Sequence, residues 1–295
     1  MKTHVIYKTA SHIYGHIFEH ALYGRIRKYL LQNKALITLS ETCGAWTDDD
    51  LVIFSLSENI FAKINDFSEP EFSNSEIENA LKEISCEYKR TFSVKNIDDL
   101  RKNINKIRQE KWVDLNKSNA KKIIYEENIL SCPEISFSQN RKLKHFNDIY
   151  VELSLDEKYQ NERPFAMYIF SEILEILSAH LYEKYSCYQS NDYWNEWDDY
   201  TGFGFVFTFD ISFDADEIRE YIISQIKEQL KNENFMIDLI KYLVNTENSD
   251  KYFSWDDLQK NARFIVGDEG WRNLATKPSF AKISDNIKIE CEISK

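Results

Sequence analysis

The clearest periodicity in the chain lies between Ser11 and Leu31. Apolar residues at Ile13, Ile17, Ala21 and Leu22 recur at the spacing of a helix face, Ser11 is suited to cap its start, and Arg25, Arg27 and Lys28 suit its C-terminal end. Before it, Val5-Ile6-Tyr7 predicts a short strand. After it, Ala35 to Leu39 and Leu51 to Leu56 predict strands, with Cys43-Gly44-Ala45-Trp46-Thr47 extended between them. Phe72-Ser73-Asn74-Ser75-Glu76 marks the entry to another helix, whose stripe is Ile77, Ala80, Leu81, Ile84 and Tyr88. Residues 97–125 read as a charged helix, and 114–121 and 156–164 as polar breaks. Pro164 opens a long helix with Phe165, Ile169, Phe170, Ile173, Leu174, Leu177 and Leu181 inward. Phe203 to Phe209 predicts a strand, Asp214-Ala215-Asp216 caps a helix over 216–231, and Met236 to Val244 is helical again. The two halves share an order of helix, strands and helix, which predicts two α/β units, 1–135 and 136–295.

Composition narrows the class. A chain of 295 residues with 43% hydrophobic content can build one large core or two smaller ones. Aromatic content of 14% with seven Gly and four Pro excludes a disordered or fibrous chain. A net charge of -12 argues against nucleic acid, because phosphate neutralisation needs clustered Lys and Arg. The five cysteines are far apart, odd in number and without a C-x-x-C pair, so a reducing compartment fits better than a disulfide framework. Polar residues interrupt the first 30 positions, against a secretory leader, and no apolar run approaches the roughly 18–20 residues that span a bilayer. The expectation is a soluble, cytoplasmic protein.

The predicted first helix carries His16-Ile17-Phe18-Glu19-His20, the pattern H-x-x-E-H. Residues four apart on a helix lie on one face, with Cβ atoms roughly 5–6 Å apart, so His16 and His20 can grip one metal ion. Glu19 projects beside them, where it can act as base toward a metal-bound water. This inverts the H-E-x-x-H arrangement and matches the inverzincin signature, which makes Zn2+ the expected cofactor and hydrolysis the expected chemistry.

With these residues in view, the chain resembles the pitrilysin/insulinase family of zinc peptidases. Gly44-Ala45-Trp46-Thr47 followed by Asp50-Leu51-Val52-Ile53-Phe54 looks like the family's extended segment and strand after the motif. Phe72 to Glu78 looks like the entry to the helix that carries its third ligand. The resemblance implies an α+β fold of mainly antiparallel sheets packed by helices, akin to one lobe of the family's clamshell. It implies a glutamate as third ligand: Glu87 when counted without gaps, which keeps Ile77 and Ile84 in phase, or Glu83 one turn earlier. It implies that a peptide substrate adds as a strand along Ala45, Trp46 and Thr47. The family's opposite lobe supplies an Arg–Tyr pair that holds the substrate, and no such pair is placed here. The half-size chain is therefore expected to work as a homodimer or heterodimer with a second chain, on short or unfolded peptides that include bacterial peptide precursors. The alternative is a non-catalytic scaffold subunit docked on an active partner.

The other candidates carry less. His12, one turn before His16, supports a ligand from behind, substitutes for one, or is an exposed side chain. His180 has no second ligand after it, and His4 and His145 have no evident partner. Gly202-Phe203-Gly204 lacks the further glycine or lysine of a phosphate loop. Tyr193, Trp194, Trp197 and Tyr200 are interleaved with Asp192, Glu196, Asp198 and Asp199, a charge pattern that suits packing or a partner contact rather than nucleic-acid stacking.

Overall fold

The computed structural model describes residues 2–9, 11–34, 36–37, 43–48, 51–107, 109–114, 136–137, 146–197, 200–245, 270 and 272–294. The chain is α+β. Its contacts divide it into two units, one made of Met1–Asn33, Glu41–His145 and Tyr182–Tyr188, the other of Lys34–Ser40, Phe146–Leu181 and Gln189–Lys295.

The first unit begins with β1 (Lys2–Lys8) and α1 (His12–Asn33), followed by β2 (Cys43–Asp48) and β3 (Leu51–Ser57). Two short helices, α2 (Glu58–Phe61) and α3 (Ile64–Ser68), lead to α4 (Asn74–Tyr88). Then come β4 (Phe92–Ser93), α5 (Ile97–Ile104), β5 (Gln109–Asp114) and β6 (Ser136–Phe137). The main sheet has the order β2-β3-β1-β5, and each pair is antiparallel. The alternation in β3 buries Val52, Phe54 and Leu56 against α1, which also packs on α4 and β2. α1 is buried nearly all round, through Tyr14, Ile17, Phe18, Leu22, Ile26 and Leu30 as well as both histidines of the motif. Ser11 sits at its N-cap, its carbonyl accepting from Gly15 N–H at 3.0 Å, but its hydroxyl is buried and caps nothing. α4 starts on a capping box: Ser73 accepts from Glu76 N–H while Glu76 accepts from Ser73 N–H.

The second unit comprises β7 (Phe146–Asp156), most of α6 (Arg163–Tyr185), β8 (Tyr188–Trp197), β9 (Tyr200–Asp210), α7 (Ala215–Leu230), α8 (Glu233–Asn245), α9 (Lys277–Asn286) and β10 (Lys288–Ser294). Its sheet has the order β10-β7-β9-β8. β7 is antiparallel to both β9 and β10. Phe203, Phe205, Phe207 and Phe209 of β9 are all buried, as are Ile149, Val151, Leu153 and Leu155 of β7.

Several expectations change. The charged helix predicted over 97–125 stops at Ile104, because its only buried positions are Leu100 and Ile104; the chain then forms β5 beside β1, and residues 115–125 lie outside the described residues. In the predicted strand Ala35 to Leu39, Leu36 and Ile37 are buried but not strand, and the rest lies outside the described residues. Of the break at 156–164, Glu157–Glu162 is a 3₁₀ turn that runs into α6; 115–121 lie outside the described residues. The membrane expectation also needs amending. α6, 23 residues long, is apolar enough by length and composition to cross a bilayer, but 78% of its most apolar window is buried within the protein, which is the character of a core helix.

Candidate metal centre

α1 and α4 lie side by side and build the centre. His16 and His20 are one turn apart on α1 and nearly buried, at 6% and 8% exposure. Their Nε2 atoms lie 3.2 Å from each other. From α4, Glu87 brings Oε2 to 3.0 Å from His16 Nε2 and 3.4 Å from His20 Nε2. A tetrahedral zinc ion with bonds of about 2.0–2.1 Å needs ligand atoms about 3.3 Å apart, so this triangle has the size and donor set of a zinc site.

The outer ring nitrogens point to the same use. His20 Nδ1 lies 2.8 Å from Glu83 Oε2, so the neutral ring carries its proton on Nδ1 and presents the Nε2 lone pair inward. His16 Nδ1 lies 3.3 Å from the Tyr88 hydroxyl. Glu83 faces away from the triangle. Its other oxygen accepts from Arg27 Nη2 at 2.7 Å, which makes it the support of a ligand rather than a member of the triangle. Burial by itself lowers the pKa of His20, but Glu83 and Glu87 outweigh it and push the imidazole up to about 9. Burial raises Glu87, yet His16 and His20 hold it down to about 2. Both shifts mean that the centre of the triangle favours added positive charge, which a divalent cation supplies.

Glu19 lines the same cavity, of about 280 Å³, together with Tyr23, Arg27, Gly44, Ala45, Tyr182 and Tyr188. Thr47 Oγ1 donates to Glu19 Oε2 at 2.5 Å, fixing the carboxylate against β2. Among the described residues β2 is the edge of its sheet. Its side chains alternate, so Ala45 and Thr47 face α1, whereas Trp46 is 43% exposed on the other face and sets its ring edge-on to His4. Trp46 is thus not among the residues that line the cavity, whereas Gly44 and Ala45 are. Burial and the Glu87 charge hold the Tyr188 hydroxyl well above the ordinary phenol range.

Residues that sequence reasoning passed over prove necessary to the geometry. Gly15 lets α1 approach the sheet: a Cβ there would meet Thr9 Oγ1 and Val52 Cγ2 at 3.0 Å and Thr47 Cγ2 at 3.1 Å. Arg27 and Tyr188 line the cavity without belonging to any motif; Tyr88 was read as part of the α4 stripe, but no motif marked its hydroxyl, which faces His16. His12 is exposed and lies 3.5 Å from the Tyr88 hydroxyl, outside the triangle. Residue 145, Asp198 and Asp199 lie outside the described residues, as do the side chains of 190–197 and 200, and so the aromatic cluster.

The fold and the site therefore define an α+β protein with a two-histidine, one-carboxylate centre. No protein-family model matches the sequence, and no curated protein matches it. Among solved structures, the chain is similar to the periplasmic protease PqqL from Escherichia coli over 99% of its length and 42% of that chain, at 9% identity and a TM-score of 0.35. It is similar to a protease from Helicobacter pylori over 98% of its length and 92% of that chain, at 12% identity and a TM-score of 0.33. It is also similar to a predicted insulinase family protease from Yersinia pestis over 98% and 86%, at 9% identity and a TM-score of 0.28. Superpositions this loose leave the chemistry to the chain's own side chains.

Proposed function

We propose that this chain is a zinc-dependent peptidase of the pitrilysin/insulinase type, cutting short or unfolded peptides. The observation that carries this is the triangle of His16 Nε2, His20 Nε2 and Glu87 Oε2, with sides of 3.0–3.4 Å, beside the cavity that Glu19 lines. When bound, zinc supplies Lewis-acid polarisation of a carbonyl and of water. The protein's own groups do the rest. Glu19, held by Thr47, takes a proton from the attacking water and returns it to the leaving amine. Glu83 keeps His20 in the tautomer that turns Nε2 inward. The edge of β2 gives an extended peptide main-chain partners, which favours unfolded substrates over folded ones.

In this proposal the chain works in the cytoplasm, where its free cysteines Cys43, Cys86, Cys187 and Cys291 stay reduced, and with a second chain, as homodimer or heterodimer, that closes the substrate site. A bacterial peptide precursor is a suitable substrate. The test is metal content. Purified protein loaded with zinc and desalted should hold about one ion per chain, and His16→Ala should lose it. Protein that holds no zinc would instead be a scaffold subunit.

A further inference from the structure

Among the described residues, Arg27 is the one Arg or Lys side chain that lines the metal cavity. It lies on α1 and is 89% buried by its side chain, which is only 11% exposed. Its Cζ sits over two aromatic rings, 4.0 Å from the centre of Tyr182 and 5.0 Å from that of Tyr23. It has five N–H donors. Among the described residues only Nη2 hydrogen-bonds, to Glu83 Oε1 at 2.7 Å. The other donors of the fork are left for a ligand, and a guanidinium fork matches a carboxylate in two parallel hydrogen bonds.

Its place relative to β2 gives it a direction. Tyr23, whose ring lies under Arg27, donates through its hydroxyl to the Cys43 carbonyl at 3.2 Å, so the guanidinium belongs to the Cys43 end of the strand. Glu19 is tied to Thr47, near the other end. Every described pair in this sheet is antiparallel. A peptide that joins β2 in the same sense runs from Asp48 toward Cys43. The residues after the cut then lie toward Arg27, and two positions of extended chain span roughly 7 Å.

We propose that Arg27 is a specificity residue that takes a substrate carboxylate one or two positions beyond the cleaved bond, and so directs this site to the carboxyl ends of peptides or to acidic residues just after the cut. This rests on the peptidase reading above. The plain alternative is that Arg27 only positions Glu83 and, through it, His20.

The experiment uses the full zinc-loaded chain and acetylated alanine hexapeptides in three matched forms: free C-terminal acid, C-terminal amide, and amide carrying Glu or Gln one or two places after the mapped cut. The acid or the Glu form should be cut about tenfold faster in kcat/KM than its neutral counterpart. Which of the two gains identifies the source of the carboxylate. Arg27→Gln alone leaves the buried Glu83 charge unpaired, so the double variant R27Q/E83Q is the decisive one, with Arg27→Lys as a milder check. The preference should vanish in the double variant and shrink in Arg27→Lys. Equal cleavage of all forms overturns the proposal, and so does a preference that survives R27Q/E83Q. A uniform loss on all forms with lowered zinc occupancy assigns Arg27 the positioning role only. If zinc binds but no peptide is cut, the peptidase reading fails by itself; calorimetric binding of the same peptides then decides. There, acid or Glu forms held about tenfold tighter support Arg27, and equal affinity overturns it.

Discussion

Two helices of nearly equal length, α1 with 22 residues and α6 with 23, bury their polar groups in opposite ways. In α6, Glu172 is wholly buried and accepts from the backbone N–H of Ile37, and Ser178 donates to Gln189 Oε1 at 2.5 Å. Each acceptor meets a donor inside its own unit. In α1, two imidazole nitrogens turn toward each other at 3.2 Å, and a carboxylate oxygen from α4 joins them. With both rings neutral and their Nε2 lone pairs inward, that is a convergence of acceptors, which a proton or a metal cation at the centre resolves. Buried polarity alone is thus no sign of function. Buried polarity that needs a proton or a cation to be satisfied is one.

The largest way to break this comparison is at the base. Glu19→Gln should reduce peptide hydrolysis by about 10²–10⁴-fold while leaving zinc content at one per chain. Glu172→Gln, its counterpart on α6, should change neither. The pair of variants is read by mass-spectrometric turnover of an unstructured peptide and by metal analysis. Cleavage by Glu19→Gln at more than a tenth of the original rate removes the residue from the mechanism.

Next in size is the support of His20. Glu83→Gln keeps an acceptor for His20 Nδ1 but removes the negative charge that orients the ring and neutralises Arg27. Zinc affinity should fall by about 10-fold or more, measured by competition with a chromophoric chelator. Unchanged affinity would mean that Glu83 serves only Arg27.

How much of this could be read from the residues varies with the range of the interaction. The α1 pair His16 and His20 follows from helical spacing alone. The choice between Glu83 and Glu87 does not, since both lie on one face of α4 a turn apart; the packing of α4 on α1 separates them, turning Glu87 to both Nε2 atoms and Glu83 to the outer nitrogen of His20. Local caps such as Ser73 with Glu76, and Asp214 ahead of α7, were equally readable. The strand β5 was not. Its charged sequence looks helical, and only pairing with β1 makes it a strand. The alternation Ile149, Val151, Leu153, Leu155 in β7 was present but drew no prediction. Nothing local marks Gly15, and Arg27 was read only as a basic residue for the end of α1, whose last turn holds none; their roles come from Val52, Thr47 and Tyr182, which are far away in sequence.

Gly15 gives the third prediction. Gly15→Ala improves helix propensity by up to about 1 kcal/mol, yet its methyl would press on Val52 and Thr9 at 3.0 Å. The packed sheet behind it has little room to yield, so the overpacking should dominate and destabilise the first unit by about 1–3 kcal/mol. Because Gly15 adjoins His16, zinc affinity should weaken as well. Alanine at any exposed site of α7 should show neither effect. A Gly15→Ala chain more stable in urea than the original would show that the contact relaxes freely.

The smallest expected effect lies in the second unit and sharpens the contrast through pH. Glu152 on β7 is buried at 2% exposure, receives the Tyr150 hydroxyl, and stands directly across from Glu290 on β10 and Gly204 on β9. Burial, then the Glu290 charge, push its carboxyl from the usual 4.5 up to about 7. The folded state therefore holds this proton more tightly than the unfolded chain does. Between about pH 4.5 and 7 the native protein binds more protons, so the Glu152 contribution to stability falls as pH rises through that window and is flat beyond it. Glu152→Gln removes the titration and should gain in urea midpoint over the original chain on going from pH 5 to pH 8. Midpoints that move in parallel across that range would mean that Glu152 is already ionised in the fold.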